Sequence, residues 1–182
     1  DGSTIIFRWE FSSNGGVGWS SVVDGGGYSG SSTNTLSVDD DFAKNTYQFR
    51  CKMETNTSVQ PSYTNAATLT VFRVITISNQ PTDQNPMAPA AATFTVAAST
   101  LDTATIAYQW EKSEDGDGIN FTSIGGATGA SYVTGATTYD ADYGDYYRCV
   151  LSATGASNVT SNAAQNLVQR SINITSQPTN TT

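Results

Sequence analysis

The sequence predicts an all-β fold of tandem antiparallel β-sandwiches, and three observations carry that prediction. Apolar residues alternate in short runs: Phe94 and Val96 share one face of a segment over 93–98, and Tyr147, Cys149 and Leu151 share one face over 145–153. No stretch sustains the period of an amphipathic helix. Finally, the chain repeats itself. The run ITISNQPT from Ile75 returns as INITSQPT from Ile172, and IIFRWE from Ile5 returns as IAYQWE from Ile106. FRC ending at Cys51 returns as YRC ending at Cys149, and SYTNAA from Ser62 returns as VTSNAA from Val159. All four pairs keep one order at a spacing of about a hundred residues, the size of one sandwich domain.

The repeat has a core signature. Trp110 lies on one predicted strand and Cys149 on a later one, with an acidic, glycine-bearing turn (Asp140 to Asp145) leading into the second. A large aromatic, a small buried thiol and such a turn are the centre of an immunoglobulin-like sandwich. The phase of the repeat then sets the domains. Residues 75–171 form one complete module; residues 1–74 form a module lacking its first strands; residues 172–182 are the first strand of a further one. The expectation is a window on a longer array, with the front strands of the first module belonging to polypeptide outside it or donated by residues 172–182 of a neighbouring copy. Donation of that kind would propagate head to tail into a filament.

Each element follows from local chemistry. Residues 4–11 alternate and carry Trp9 inward; Ser12 to Gly16 contains Asn-Gly and makes a hairpin turn, since both residues tolerate positive φ. Residues 18–23 return as the next strand, 24–33 are a Gly/Ser-rich loop, 34–38 a short strand, and 39–44 a turn with room for one helical turn. Residues 46–54 carry Cys51, and 63–74 close the module. The second module adds an edge strand over 75–78, ended by Gln80-Pro81 as suits a residue without a ladder donor. A loop over 83–89 and the strand 93–98 follow. Then come 105–112 with Trp110, a hairpin loop over 113–118 answered by 120–124, a short strand over 131–134, and closing strands over 145–153 and 158–168.

Composition narrows the partners. Lys and Arg total 8, Asp and Glu 16, and the net charge is −8, so no basic patch exists to displace the counterions of a duplex. The acidity equally disfavours anionic membranes, and no apolar run reaches the ~20 residues that span a bilayer. Charged residues are only 13%, leaving solubility to Ser, Thr, Asn and Gly, as in extracellular β-proteins. The two cysteines, Cys51 and Cys149, occupy equivalent places in separate modules, so no disulfide is expected.

The runs YQWEKS from Tyr108, FTSIGGATGASY from Phe121 and GDYYRCVLSATGA from Gly144, with the ITISNQPT opening, resemble bacterial-type immunoglobulin-like repeats. Such repeats recur in virion structural proteins and fibres of tailed phages, notably cyanophages, and in bacterial surface adhesins. The resemblance implies a non-enzymatic spacer, decoration or attachment segment at a virion surface or tail, or outside a cell. It implies neighbouring repeats as partners, with oligomeric or filamentous assembly, and a host-surface glycan or protein as a target. Two departures from the pattern matter. The second cysteine of the immunoglobulin pattern is replaced here by Val96, so apolar packing stands where a bridge would be. The turn before Cys149 is one residue longer than usual; Tyr147 holds the place of the tyrosine corner, and its counterpart Phe49 has no hydroxyl.

Chemistry is sparse. With no histidine, neither thiol nor any serine has its usual base, and zinc ligation by histidine is impossible. The structural core is expected to be Trp9, Cys51, Val96, Trp110, Tyr147 and Cys149. No cofactor is expected; the weak Ca²⁺ candidates are Asp115, Asp117 and Asn120, with carboxylates at alternate positions around a glycine, and Asp39 to Asp41. Ser12, Asn14, Gly16 and Trp19 fit the pattern of a sialidase-type Asp-box with Asn for Asp, which reports a turn and no glycosidase activity. Tyr132, Tyr139, Tyr143 and Tyr146 cluster near one end of the complete module and suggest an alternative reading, a carbohydrate-binding module. Sequons stand at Asn56, Asn120, Asn158, Asn173 and Asn180.

Overall fold

The computed structural model describes residues 4–57, 60–114, 116 and 118–176. The chain divides into two compact units, Asp1–Phe72 and Arg73–Thr182. The division falls two residues before the junction expected from the repeat, because Arg73 is tied to the second unit. Its N–H donates to Gly155 O at 2.9 Å and its guanidinium pairs with Asp102 at 2.6 Å.

The second unit is an immunoglobulin-like sandwich. One sheet is built from β11 (Ala107–Ser113) and β14 (Tyr146–Ser152), flanked by β12 (Thr122–Ser123) on β11, and by β15 (Val159–Thr160) and β16 (Ala164–Gln165) on β14. All these pairs are antiparallel. The facing layer holds β8 (Ile75–Asn79), β9 (Thr93–Thr95), β10 (Ala97–Thr100) and β13 (Ser131–Val133). β8 pairs with β10 and β9 with β13. The expected single strand over 93–98 is thus one run broken at Val96, whose N–H donates to Ala130 O at 2.9 Å while its side chain is buried. Residues 83–89, read as loop because of Pro86 and Pro89, instead run parallel to the end of the chain. Gln84 bridges Asn166, and Met87 bridges Gln169. Four backbone hydrogen bonds between 2.7 and 3.0 Å lace this seam. Proline lacks a donor, yet here the carbonyl of Pro86 accepts from Gln169 N–H, so the ring costs the seam nothing.

The core forms where the layers meet. Trp110 and Cys149 stand opposite each other in register on β11 and β14, and both are fully buried. Phe94 from the other layer stacks on Tyr147 with ring centres 4.6 Å apart and lies 6.4 Å from Trp110; Val96, Leu151 and Ala164 complete the cluster. Trp110 also donates its indole N–H to Gly129 O at 2.9 Å, so its one polar atom is satisfied inside. Tyr147 packs as an aromatic; no corner hydrogen bond from its hydroxyl is found among the described residues.

The first unit repeats one layer. β1 (Ile5–Ser12) and β5 (Gln48–Thr55) are its centre, with β2 (Ser20–Ser21) on β1, and β6 (Ser62–Tyr63) and β7 (Ala67–Thr68) on β5. The expected long closing strand over 63–74 is only these two short pieces. A hairpin of β3 (Tyr28–Ser29) and β4 (Ser37–Val38) stands apart, followed by a 3₁₀ turn at Phe42–Lys44 capped by Asp41. Trp9 opposes Cys51, and its indole donates to Thr33 O at 2.9 Å, the same arrangement as in the second unit. Cys51 is buried, but Trp9 is only half-buried. This corrects its expected place in a closed core: no counterpart of β9 and β10 lies over it among the described residues.

Residues 172–176 carry no strand, and Ile172 is 95% exposed. In the second unit the equivalent Ile75 is buried because β10 pairs with its strand. The rest of the segment lies outside the described residues.

Candidate interaction surfaces

The hairpin turn after β1 builds the first surface. Ser12 is buried, and its hydroxyl accepts from Gly16 N–H at 2.9 Å while donating to Asn14 Oδ1 at 2.8 Å. Asn14 Oδ1 in turn accepts from Gly18 N–H at 2.8 Å. Gly15 and Gly16 take φ of 69° and 86°, which glycine adopts without strain. Trp19 closes the turn by donating its indole N–H to Gly16 O at 3.1 Å. The Asp-box-like spacing therefore produces the turn it suggested, and it fixes Trp19.

Trp19 lies on the outer face of the sheet, against Arg50. The guanidinium carbon of Arg50 is 4.1 Å from the Trp19 ring centre and 4.3 Å from that of Tyr63, and Glu10 holds the guanidinium at 2.7 and 2.8 Å. The second unit carries the same cassette: Arg148 lies 3.9 Å from the Phe121 ring centre and bonds Glu111 at 2.8 Å. Sequence reasoning passed over these residues. The signal was present, since the repeated pairs Trp-Glu and Arg-Cys carry both the inward core residue and its outward neighbour.

The second surface is made of the tyrosines. Tyr139 and Tyr143 stack at 4.8 Å on either end of a short helix, α1 (Tyr139–Asp142), and both are exposed. Arg170 lies 4.1 Å over the Tyr139 ring and pairs with Asp140. The other two tyrosines do not join them. Tyr132 sits against Trp110 and Tyr147 at 6.3 and 5.7 Å, partly buried at the edge of the core, and Tyr146 is half-buried in β14.

Asp39 pairs with Lys44, and hydrogen bonding to that ammonium holds its carboxyl below the usual range. Asp41 accepts from Ala43 N–H at 2.9 Å and so caps the turn expected over 39–44. Asp115 and Asp117 lie outside the described residues, and Asn120 is exposed. Both thiols are buried; burial pushes Cys51 up, and pushes Cys149 up to about 11. A thiol so placed is a poor nucleophile at neutral pH.

One buried charge pair stands at the end of the second unit. Lys112 Nζ is 2.9 Å from Asp145 Oδ2, an ion pair that is not aligned as a hydrogen bond. Burial raises the Asp145 carboxyl against the pull of Lys112. Burial opposes charge on Lys112 too, but Asp145, Tyr147 and Glu114 outweigh it and the ammonium is held above its ordinary range.

No curated protein matches the chain significantly. Among solved structures it is similar to the N-terminal four Ig domains of Dscam1 isoform 6.9, at 20% identity and TM-score 0.48 over 91% of this chain and 38% of that one. It is also similar to the IG1+IG2 pair of DIP-gamma, at 12% identity and TM-score 0.41 over 90% and 83%. Drosophila OTK extracellular domains 3-5 align at 18% identity and TM-score 0.37 over 91% and 54%. The chain spans 38% of the length of the Dscam1 fragments it matches, and at such identities nothing of their binding passes to it. Residues 76–170, more than half of the 182-residue chain, match the model of a domain of unknown function (DUF8696), and the chain belongs to that family.

Proposed function

We propose that this chain is a non-enzymatic, recognition-type segment of a larger extracellular or virion surface protein, in which tandem sandwiches give reach and their outer faces give contact. The observation that supports this reading best is the outward cassette of Glu, Arg and an aromatic ring, repeated in both units. Each cassette braces its sheet from outside, and in the first unit leaves Tyr63 45% exposed. The resemblance to phage virion and adhesin repeats supports the virion or cell-surface setting. Mass spectrometry of purified virions or shed surface fractions from the source organism tests that setting: peptides of this chain should appear there, and their confinement to the cytoplasm would overturn it.

The stack of Tyr139, Tyr143 and Arg170 favours a second reading, recognition of host-surface glycans. Exposed ring faces suit the apolar face of a sugar, and a guanidinium beside them suits its hydroxyls or an acidic substituent. A glycan array, run with and without Ca²⁺, should show a ligand set lost on Tyr139→Ala/Tyr143→Ala. No binding in either condition, or binding indifferent to that change, sinks the glycan reading.

A further inference from the structure

At three inner-face positions the second unit is polar where the first is apolar. Lys112, Asp145 and Asn166 take the places of Phe11, Tyr47 and Leu69. The backbones match. Asn166 N–H donates to Asp145 O, and Gly144 N–H to Asn166 O, both at 2.8 Å. In the first unit Leu69 N–H donates to Tyr47 O at 2.8 Å, and Thr46 N–H to Leu69 O at 2.9 Å. The exchange therefore changes side chains and not register. Asp for Tyr and Asn for Leu also trade large, largely apolar groups for small polar ones.

These polar side chains are buried and incompletely partnered. Asn166 is 0% exposed and Asp145 2%. Among the described residues neither Oδ1 nor Nδ2 of Asn166 has a hydrogen-bond partner. Asp145 Oδ2 has none either, although Lys112 Nζ stands 2.9 Å from it. A buried amide left unpaired is strongly unfavourable, so folded chains pair such groups with protein or with ordered water. Asn166 presents an acceptor and a donor group, so its partner must both donate and accept. The charges select further. A cation beside Asp145 Oδ2 would meet the Lys112 ammonium, and an anion would meet the Asp145 carboxylate. A neutral molecule meets neither repulsion.

We propose that Asn166 and Asp145 bind ordered water between the layers of the second unit, with Lys112 at the rim of the site. Water is the smallest neutral molecule that donates and accepts, and internal waters are held by just such buried polar groups. Lys112 stands toward solvent, its side chain 22% exposed, while the other two residues are buried. The water hydrates a carboxylate otherwise served by one poorly aligned ammonium. An ion pair can then stand where the first unit packs rings. The site adjoins the turn that carries Tyr139 and Tyr143. Gly144, next to Tyr143, donates its N–H to Asn166 O, and its carbonyl accepts from Gln165 Nε2 at 3.3 Å. The bound water thus belongs to the base of that turn.

A high-resolution crystal structure of the whole chain locates internal water, and oxygen-17 relaxation dispersion counts it in solution. The crystal should show water within hydrogen-bond reach of the Asn166 amide and of Asp145 Oδ2. Asn166→Leu, which installs the first unit's residue, should remove at least one long-lived water from the dispersion. Thermal melts add a sign. Asn166→Leu should lower the melting temperature of the native chain, because it takes a partner from the water. It should raise that of a Lys112→Phe/Asp145→Tyr chain, where the amide has lost its site. Any of four results would overturn the idea: an Asn166 amide bonded only to protein groups, a metal or other ion in the water's place, a dispersion unchanged by Asn166→Leu, or melts shifted in one direction in both backgrounds. The crystal structure of the unaltered chain decides the matter even if Asn166→Leu fails to fold.

Discussion

Trp110 and Trp9 hold the same place in two units and differ in what lies over them. Each faces its cysteine across one strand pair and donates its indole N–H to a loop carbonyl. Only Trp110 meets a second layer. Trp110→Ala should therefore cost ~3–5 kcal/mol in chemical denaturation, as for other buried large-to-small changes. Trp9→Ala should cost clearly less, and equal losses would contradict the difference in burial. The thiols give a prediction in pH. The fold favours the neutral form of Cys149, so that stabilisation is complete below the ordinary thiol range and is lost as pH rises through about 11. At pH near ~8.5 the native chain should resist thiol-labelling reagents, whereas the unfolded chain should take up label at both cysteines. Rapid native labelling would show that the fold does not shield them.

At the level of strands, the two units solve one position differently. Lys112 and Asp145 of the second unit correspond to Phe11 and Tyr47 of the first, which stack with ring centres 5.7 Å apart. Lys112→Phe alone leaves a buried carboxylate without its cation and should destabilise by ~3–5 kcal/mol. Adding Asp145→Tyr should recover most of that loss by importing the stack of the first unit. A thermal melt of the two variants decides; a double variant no better than the single one would show that the surroundings, and not the pair, make the choice. The same comparison shows what was legible in the sequence. Alternation and the repeat gave β1, β5, β11 and β14, because a strand buried on one face writes its period into the residues. The run over 83–89 was read as loop because Pro86 and Pro89 mask any period, and parallel bridges leave no alternation to see. Tyr132 and Tyr146 were grouped with Tyr139 and Tyr143 because the count of tyrosines near one end does not say which of them point inward. The Glu–Arg half of each cassette is written in the repeated Trp-Glu and Arg-Cys pairs, but its aromatic partner is not, because Trp19 and Phe121 come from outside those repeated runs.

For the chain as a whole, the repeat gave the order of two units, and in the second no covalent link joins the layers: Val96 packs where a bridge would otherwise stand. What it could not show is how the seam of residues 84–88 along 165–169 responds to load. Those two segments run in the same direction, and tension applied at the two ends of the second unit would draw them past each other in shear. Its four hydrogen bonds would then bear force together and not one after another as in a zipper. The first unit has no such clamp on its equivalent edge among the described residues. In force spectroscopy of the tethered chain the second unit should yield at the higher tension, and Gln169→Pro, which deletes one of the four bonds, should lower that rupture force more than it lowers the melting temperature.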